Sequence, residues 1–201
     1  AKLMAKLYPV DNGMLYLDSH DINDVDGKYI RENVSYVPQE SFLFSMTIRE
    51  NIAFSDKKIE NRVGEYAAMA SVDEDIKRLA QGYETVVGER GVTLSGGQKQ
   101  RVTIARALAK DSRVIILDDC LSAVDTETEE AIIKSLRKET MGKTVVIVSH
   151  RLKAVKNADQ IFVFDNGSII ESGTHNELLR KKGLYNSMYE KQLIEEKLKE
   201  V

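Results

Sequence analysis

Hydrophobic residues in the second half of the chain change between strand-like and helical spacing. Residues 113–117 form a continuous, mostly β-branched run, which is typical of a strand buried on both faces of a parallel sheet. Residues 144–148 form a second such run. Between them, residues 126–138 carry three aliphatic side chains at helical spacing. This alternation predicts an α/β domain with a mainly parallel sheet.

The first half of the chain has weaker but similar patterns. Residues 34–37 predict a short strand, and residues 47–82 show the spacing of a helical insertion. Residues 1–8 place Leu3 and Leu7 one helical turn apart, with no capping residue before them. We therefore expect a helix at the start of the chain whose own beginning has been cut away.

The end of the chain predicts a hairpin followed by helices. Residues 161–164 and 168–171 are short apolar runs around an Asn-Gly pair, which favours a tight turn. Thr174 and Glu177 then have the spacing of a capping box, which marks the start of a helix.

Composition excludes several classes of protein. The 201 residues carry a formal net charge of -3, and the basic residues are dispersed, whereas a nucleic-acid groove needs a basic stripe. We therefore expect no nucleic-acid partner. No apolar run approaches the roughly 20 residues of a membrane span. The single cysteine excludes an internal disulfide and fits a reducing compartment.

Three further polar residues have ordinary interpretations. Cys120 is expected to be a small packed residue rather than a nucleophile, and His20 and His175 are expected at the surface. No spacing typical of a metal site links either histidine to an acid or a cysteine.

Residues 94–98, with the sequence LSGGQ and here called the signature segment, directly precede an amphipathic helical pattern. Ser95 can cap that helix, and Gly96 and Gly97 allow a ligand to approach the backbone, with Gln98 in the first turn. A helix start also offers free amides and a positive dipole end to an anion. The alternative is an ordinary glycine-containing helix start.

Polar residues also follow three predicted strands. Asp118 ends the run at 113–117, His150 follows the run at 144–148, and Gln39 follows the run at 34–37. Ligands of open parallel sheets bind at the carboxyl ends of the strands, and carboxylate and amide oxygens suit Mg²⁺. Each residue alone could belong to a solvated turn, but together they predict a site.

The order of these motifs resembles the ATP-binding domain of ABC transporters along the whole chain. The motifs are YVPQ, LSGGQKQR, VIILDD, SAVD and VSHR, and ETVVGERG resembles the segment of ABC exporters that contacts the transmembrane domains. The resemblance implies a P-loop NTPase core with a mainly parallel sheet. Residues from about 40 to 82 would form the glutamine loop and a helical subdomain, and residues 94–201 the signature helix and the rest of the catalytic core.

The resemblance also implies roles for individual residues, with ATP and Mg²⁺ as cofactors. Gln39 would sense the γ-phosphate and the metal, Asp118 would hold Mg²⁺ through water, and His150 would contact the γ-phosphate. Ser122 and Asp125 belong to the loop that crosses the dimer interface in this family. The signature segment would bind the ATP held by a second nucleotide-binding domain.

The phosphate-binding loop of the family, GxxxxGK[ST], is missing from the given sequence. Gly142, Lys143 and Thr144 imitate its end, but position 137 is Arg where the loop needs Gly, and the segment precedes a strand. We expect the loop and the first strands of the fold to lie directly upstream. Without them, the fragment by itself is expected to be inactive.

A second departure concerns the general base, which in the family is a Glu after the magnesium Asp. Here that residue is Asp119, whose carboxylate is drawn back by up to about 1.5 Å. The segment DDCLSAVD resembles the degenerate half of heterodimeric ABC exporters. We therefore predict a slow site in this chain and a partner domain on a different subunit. Alternatively, Asp119 works through a shifted water.

The exporter resemblance implies transmembrane domains as partners and a position at the cytoplasmic face of the cell membrane. Two other functions stay open at this point. A soluble ABC ATPase of DNA repair or translation would carry coiled-coil insertions or basic arms, and neither is visible here. A non-catalytic module that uses the fold to dimerise would leave Gln39, Asp118 and His150 without a purpose.

Overall fold

The chain forms two compact units in the computed structural model, which describes residues 1–88 and 91–199. The first unit is residues 1–148 and the second begins at Ser149. Glu89 and Arg90, which belong to the predicted ETVVGERG contact, lie outside the described residues. Within the described part of the chain, no helix has the length and apolar character needed to cross a membrane.

The first unit is organised around a parallel sheet, as the β-branched runs predict. Its middle strand pairs in parallel with both neighbours, so that Val37 lies opposite Leu117 and Asp118 lies opposite Val148. A short antiparallel ribbon precedes this sheet. The strands are β1 (Tyr16–Leu17), β2 (His20–Asp21), β3 (Val34–Val37), β4 (Val114–Asp118) and β5 (Thr144–Val148), with β4 between β3 and β5.

Short helices fill the predicted helical insertion, and two longer helices flank β4. The insertion is broken into several pieces, and Ser71 between two of them adopts a left-handed φ of 53°. The helices are α1 (Gly27–Asn33), α2 (Ile48–Ile52), α3 (Val63–Met69), α4 (Asp73–Lys77), α5 (Gly96–Ala109) and α6 (Thr126–Glu139), with 3-10 turns at Lys57–Arg62 and Gly82–Glu84.

The structure confirms the helix predicted between β4 and β5. The three aliphatic residues Ile132, Ile133 and Leu136 are buried on one face of α6. β5 differs from expectation, because its residues are half-buried or exposed in the described chain, whereas the sequence predicted a buried strand. The β-branched run therefore identified the strand correctly and overstated its burial.

The predicted helix at residues 1–8 is wrong. These residues form hydrogen-bonded turns, and Lys6 takes a left-handed φ of 51°. The Lys6 ammonium donates to the carbonyls of Ile22 at 2.8 Å and Val25 at 2.7 Å. These contacts with distant carbonyls stabilise a compact turn that helical spacing of two leucines could not reveal.

The second unit is a hairpin with helices packed against it. Asn166 and Gly167 both have positive φ, of 47° and 77°, which is the geometry of the tight turn that Asn-Gly predicts. Thr174 and Glu177 form the predicted capping box. The elements are α7 (Leu152–Val155), β6 (Ile161–Asp165), β7 (Ser168–Gly173), α8 (His175–Lys181) and α9 (Leu184–Lys199). Its core contains Leu152, Ile161, Val163, Leu178 and Tyr185.

Candidate functional site

Two acidic residues lie at the carboxyl end of β4, which is where ligands of open parallel sheets bind. Asp118 is the last residue of the strand, and one of its carboxylate oxygens accepts a hydrogen bond from the Tyr36 hydroxyl at 2.7 Å. Burial, and then this contact with Asp118, raises the pKa of Tyr36. Tyr36 therefore stays a neutral donor and fixes the orientation of the Asp118 carboxylate.

Asp119 leaves the strand in an unusual conformation. Its φ is 50°, in the left-handed region that non-glycine residues seldom occupy. Its N–H donates to the Val148 carbonyl at 2.8 Å, which ties the turn to the end of β5. Its carboxylate accepts a hydrogen bond from Gln39 Nε2 at 3.1 Å. The structure thus brings together Gln39 and Asp119, which are 80 residues apart in the sequence.

Gln39 is fixed through its main chain by a residue that the sequence analysis missed. Gln100, on α5, is only 6% exposed, and its Nε2 donates to the Gln39 carbonyl at 3.1 Å. The signature helix therefore contacts the segment that follows β3. We call Gln39, Asp118 and Asp119 the sheet-edge cluster.

Magnesium fits the chemistry of the sheet-edge cluster, because it offers carboxylate and amide oxygens. Tyr36 uses one oxygen of Asp118 and leaves the second for a cation. No group of three or more acidic, histidine or cysteine side chains is placed to hold a metal among the described residues. A cation here would need phosphate oxygens and water to complete its shell, as Mg²⁺ does at nucleotide sites.

The signature segment begins α5 with the capping box that its sequence allows. Ser95 Oγ accepts from the Gln98 N–H at 3.2 Å, and Gln98 Oε1 accepts from the Ser95 N–H at 3.0 Å. A β-carbon at Gly97 would lie 3.0 Å from the Ala123 carbonyl oxygen, whereas one at Gly96 would meet no atom within 4 Å. Packing therefore accounts for Gly97, but it does not account for Gly96.

The two predicted interface residues after β4 also have structural partners. Ser122 Oγ donates to the Asp119 carbonyl at 3.0 Å. Asp125 caps α6 by accepting from the Thr128 N–H at 2.9 Å, and this bond holds the pKa of Asp125 below its ordinary value. Both side chains are exposed. Their role toward a second domain stays a prediction.

His150 belongs to the second unit and is exposed. Its carbonyl accepts from Gln192 Nε2 at 2.6 Å, and Gln192 Oε1 accepts from the Leu152 N–H at 2.9 Å. These bonds connect the segment after β5 to α9 through the main chain. The predicted contact of the imidazole with phosphate stays a prediction.

Of the other three polar candidates, Cys120 and His20 lie as expected and His175 does not. Cys120 is buried, and burial raises the pKa of its thiol to about 12, so it is a packed thiol as expected. His175 was expected at the surface, but it is half-buried, and its Nδ1 lies 2.8 Å from the Tyr185 hydroxyl. His20 is exposed in β2, as expected.

Comparison with known proteins identifies the class to which this fold and this arrangement of motifs belong. A family model described as "ABC transporter" matches residues 1–122, and the chain therefore belongs to the ABC transporter family. A solved structure of a bacterial Atm1-family ABC exporter with ATP bound superimposes with a TM-score of 0.90 and 40% sequence identity. That match covers 96% of this chain and 34% of the exporter chain.

Individual relatives are much longer than this chain. It is 45% identical to the probable multidrug resistance ABC transporter ATP-binding/permease protein YheI of Bacillus subtilis, over 95% of this chain and 33% of that protein. It is 42% identical to multidrug resistance protein 1 of Entamoeba histolytica, over 98% of this chain and 15% of that protein. It is also 42% identical to the leukotoxin translocation ATP-binding protein LktB of Mannheimia haemolytica, over 96% of this chain and 27% of that protein. The chain therefore spans about a third of its relatives' length or less.

Proposed function

We propose that this chain is the domain that binds and hydrolyses ATP, with Mg²⁺, to power a membrane exporter. The observation that carries this proposal is the hydrogen bond between Gln39 and Asp119 beside Asp118, at the carboxyl end of a parallel sheet. Two carboxylates and an amide at that edge suit a cation bound to phosphates. A module that only dimerised would not need this set of side chains.

Each residue of the sheet-edge cluster has a separate task in this proposal. Asp118 would hold the cation, and the Tyr36 hydroxyl keeps its carboxylate in place. A bound Mg²⁺ would supply positive charge against the negative charge of the transferring phosphoryl group. Gln39 orients the attacking water, and the carboxylate of Asp119 accepts its proton. His150 is not part of the cluster, and its proposed contact with the γ-phosphate rests on the family resemblance alone.

The second part of the proposal is that this chain pairs with a different nucleotide-binding domain. Asp119 is shorter than the family's Glu, its backbone is left-handed, and Gln39 binds its carboxylate. These features favour a slow site in this chain. The signature segment is intact and capped, so it can complete a faster site on the partner domain.

Transmembrane domains are the other proposed partner, at the cytoplasmic face of the cell membrane. The stretch SFLFSMTIREN (residues 41–51) resembles ABC exporters, as ETVVGERG (residues 84–91) does. The two segments lie side by side where both are described. The Ile48 N–H donates to the Thr85 carbonyl at 3.0 Å, and the Val87 N–H donates to the Met46 carbonyl at 3.0 Å. Next to them, the stacked rings of Phe44 and Phe54 lie 4.3 Å apart. Phe42, Phe54 and Val86 are exposed around these paired segments, and this apolar surface supports an exporter over a soluble ABC ATPase.

The experiment that tests the proposal compares Mg²⁺-dependent ATP hydrolysis by the whole protein that contains this chain with its Asp119→Glu variant. We expect the variant to be faster by about tenfold or more, because a well-placed general base contributes roughly 10²–10⁴-fold. Asp119→Asn is the matched control, and it should not be faster than the wild type.

Two results would count against the proposal. Rapid hydrolysis by the wild type as a homodimer, unchanged in Asp119→Glu, would show that Asp119 is a competent base and would remove the need for a different partner. Absence of Mg²⁺-dependent hydrolysis from the wild type and from Asp119→Glu, each with any partner domain present, would remove the ATPase assignment itself.

A further inference from the structure

One acidic side chain, Asp75, joins α4 to the first turn of α5. One of its oxygens accepts from Gln98 Nε2 at 3.2 Å, and the other accepts from Arg101 Nη1 at 2.8 Å. Asp75 precedes Gln98 by 23 residues and belongs to none of the motifs identified in the sequence. The contact therefore connects the helical insertion directly to the signature segment.

Asp75 determines which way the Gln98 amide points. A carboxylate can only accept hydrogen bonds, so the NH₂ end of the amide must face Asp75. The carbonyl end is then directed at the Ser95 N–H, which it binds at 3.0 Å. This is one of the two bonds of the capping box. The orientation of the box thus depends on a residue outside α5.

Arg101 contacts the same turn of α5 through its guanidinium. Its side chain is only 15% exposed, and a guanidinium sheltered to this degree needs an acidic partner, which Asp75 supplies. Arg101 Nε donates to the Gly97 carbonyl at 3.3 Å, and Nη1 also donates to the Ser71 carbonyl. The Gly97 carbonyl and the Gln98 side chain are therefore both fixed by one ion pair.

We propose that Asp75 is a positioning residue for the signature segment. It holds Gln98 and Arg101 so that Ser95 and Gly96, which are exposed, present a fixed surface to the nucleotide of the partner domain. The expected effect of Asp75 on ATP hydrolysis rests on the proposed function. The positioning itself follows from the contacts among Asp75, Gln98 and Arg101.

The test uses Asp75→Ala, Gln98→Ala and the double variant in the whole protein that contains this chain, assembled with its partner domain. We expect each single variant to lower kcat by about tenfold, and the double variant to be no more than about twofold below Gln98→Ala, because contacting residues that act together are not additive. KM for ATP should change by a smaller factor than kcat, since Asp75 positions the signature segment and does not itself contact the nucleotide.

Hydrogen exchange supplies a readout that does not depend on hydrolysis. In Asp75→Ala, amides of residues 95–101 should exchange at least about threefold faster than in the wild type. The matched control is Asp73→Ala on the same helix, where Asp73 binds Lys77 at 2.6 Å and the Tyr83 hydroxyl at 2.7 Å. This control should leave exchange at residues 95–101 unchanged.

The outcomes separate this inference from the proposed function. Unchanged exchange at residues 95–101 in Asp75→Ala would overturn the positioning role, and so would an equal acceleration in Asp73→Ala. Fully additive losses of kcat would show that Asp75 does not act through Gln98. If the wild type hydrolyses no ATP, the proposed function fails, while the exchange experiment still decides the positioning.

Discussion

The sheet-edge cluster and the signature segment carry the two most informative motifs of the chain, but they are stabilised in different ways. Ser95 and Gln98 satisfy one another in a capping box, and a good N-cap contributes about 1 kcal/mol to stability. Asp119 instead adopts a left-handed backbone, as Asp18 and Asp111 also do, which costs most L residues roughly 1–2 kcal/mol and Asp somewhat less. One region gains stability from its residue types, and the other loses it.

This difference shows how much functional meaning each motif supports on its own. Helix capping explains Ser95 and Gln98 without any ligand, so their presence alone is weak support for nucleotide binding. No comparable structural need explains an acid at position 119 with Gln39 against it. Strained residues that the surrounding structure holds in place are typical of functional sites. The sheet-edge cluster therefore supports the ATPase proposal more strongly.

The largest expected effect follows from removing the charge of Asp118. Asp118→Asn keeps an oxygen that can accept from Tyr36, so the free energy of unfolding should change by less than about 1 kcal/mol. Loss of the charge that would hold the cation should lower Mg²⁺-dependent hydrolysis by about 10²–10³-fold. Urea unfolding of the whole protein tests the expected stability, and its kcat tests the expected loss of hydrolysis.

Asp111→Asn is the matched control, because Asp111 lies before β4 and binds Lys143 at 2.5 Å, away from the carboxyl end of the strand. Hydrolysis by this control should equal that of the wild type. An Asp118→Asn variant that kept more than about a third of the activity would exclude Asp118 as the cation ligand.

A smaller effect distinguishes the two glycines of the signature segment. Gly96→Ala places a methyl group in open space at the first position of α5, so it should stabilise the fold by about 0.5–1 kcal/mol. The same methyl group would obstruct a ligand that approaches the backbone, so hydrolysis by the assembled pair should fall. The free energy of unfolding, measured with urea, should therefore rise in this variant while kcat falls.

Gly97→Ala is the comparison for that variant. Its β-carbon would lie 3.0 Å from the Ala123 carbonyl oxygen, and we expect lower stability as well as slower hydrolysis. Normal hydrolysis by a stabilised Gly96→Ala protein would show that no ligand comes close to Gly96. The signature segment would then be only a helix start.

Local patterns predicted most of the fold. The β-branched runs gave β4 and β5 within about one residue, and capping residues correctly marked the starts of α5 and α8. Residues 1–8 failed because Lys6 binds carbonyls of residues 22 and 25, and no local pattern reports such contacts. Local propensity is overruled where tertiary hydrogen bonds are available.

The sequence predicted only the part of the site that lies at the carboxyl ends of neighbouring parallel strands. The rule for parallel sheets placed Gln39 at the same sheet edge as Asp118, and the structure has Gln39 bound to the next residue, Asp119. The Tyr36 contact with Asp118 needed the register, in which Tyr36 lies opposite Ile116, two residues before Asp118 on the same face. Gln100 and Asp75 act across 61 and 23 residues, and no periodicity in the sequence connects such positions.

The smallest predicted effect concerns Asp125 and depends on pH. The bond from the Thr128 N–H holds the pKa of Asp125 below its ordinary value of 3.8. Its contribution to stability is therefore complete above that ordinary pKa and is lost as the pH falls through the lower pKa of the folded state. Asp125→Asn caps a helix about as well but does not titrate. The stability advantage of the wild type over this variant, measured by urea unfolding, should be present at neutral pH and should shrink as the pH falls below the ordinary pKa of 3.8.

The Asp125→Asn variant also shows whether Asp125 only caps a helix or has a functional contact as well. If Asp125 is only a cap, like Ser95, Asp125→Asn should leave hydrolysis by the assembled pair unchanged at neutral pH. If it also contacts the partner domain, as the family resemblance implies, kcat should fall severalfold although the helix stays capped. A stability difference that did not vary with pH would contradict the capping argument, because the Asn side chain differs from Asp in charge and not in shape.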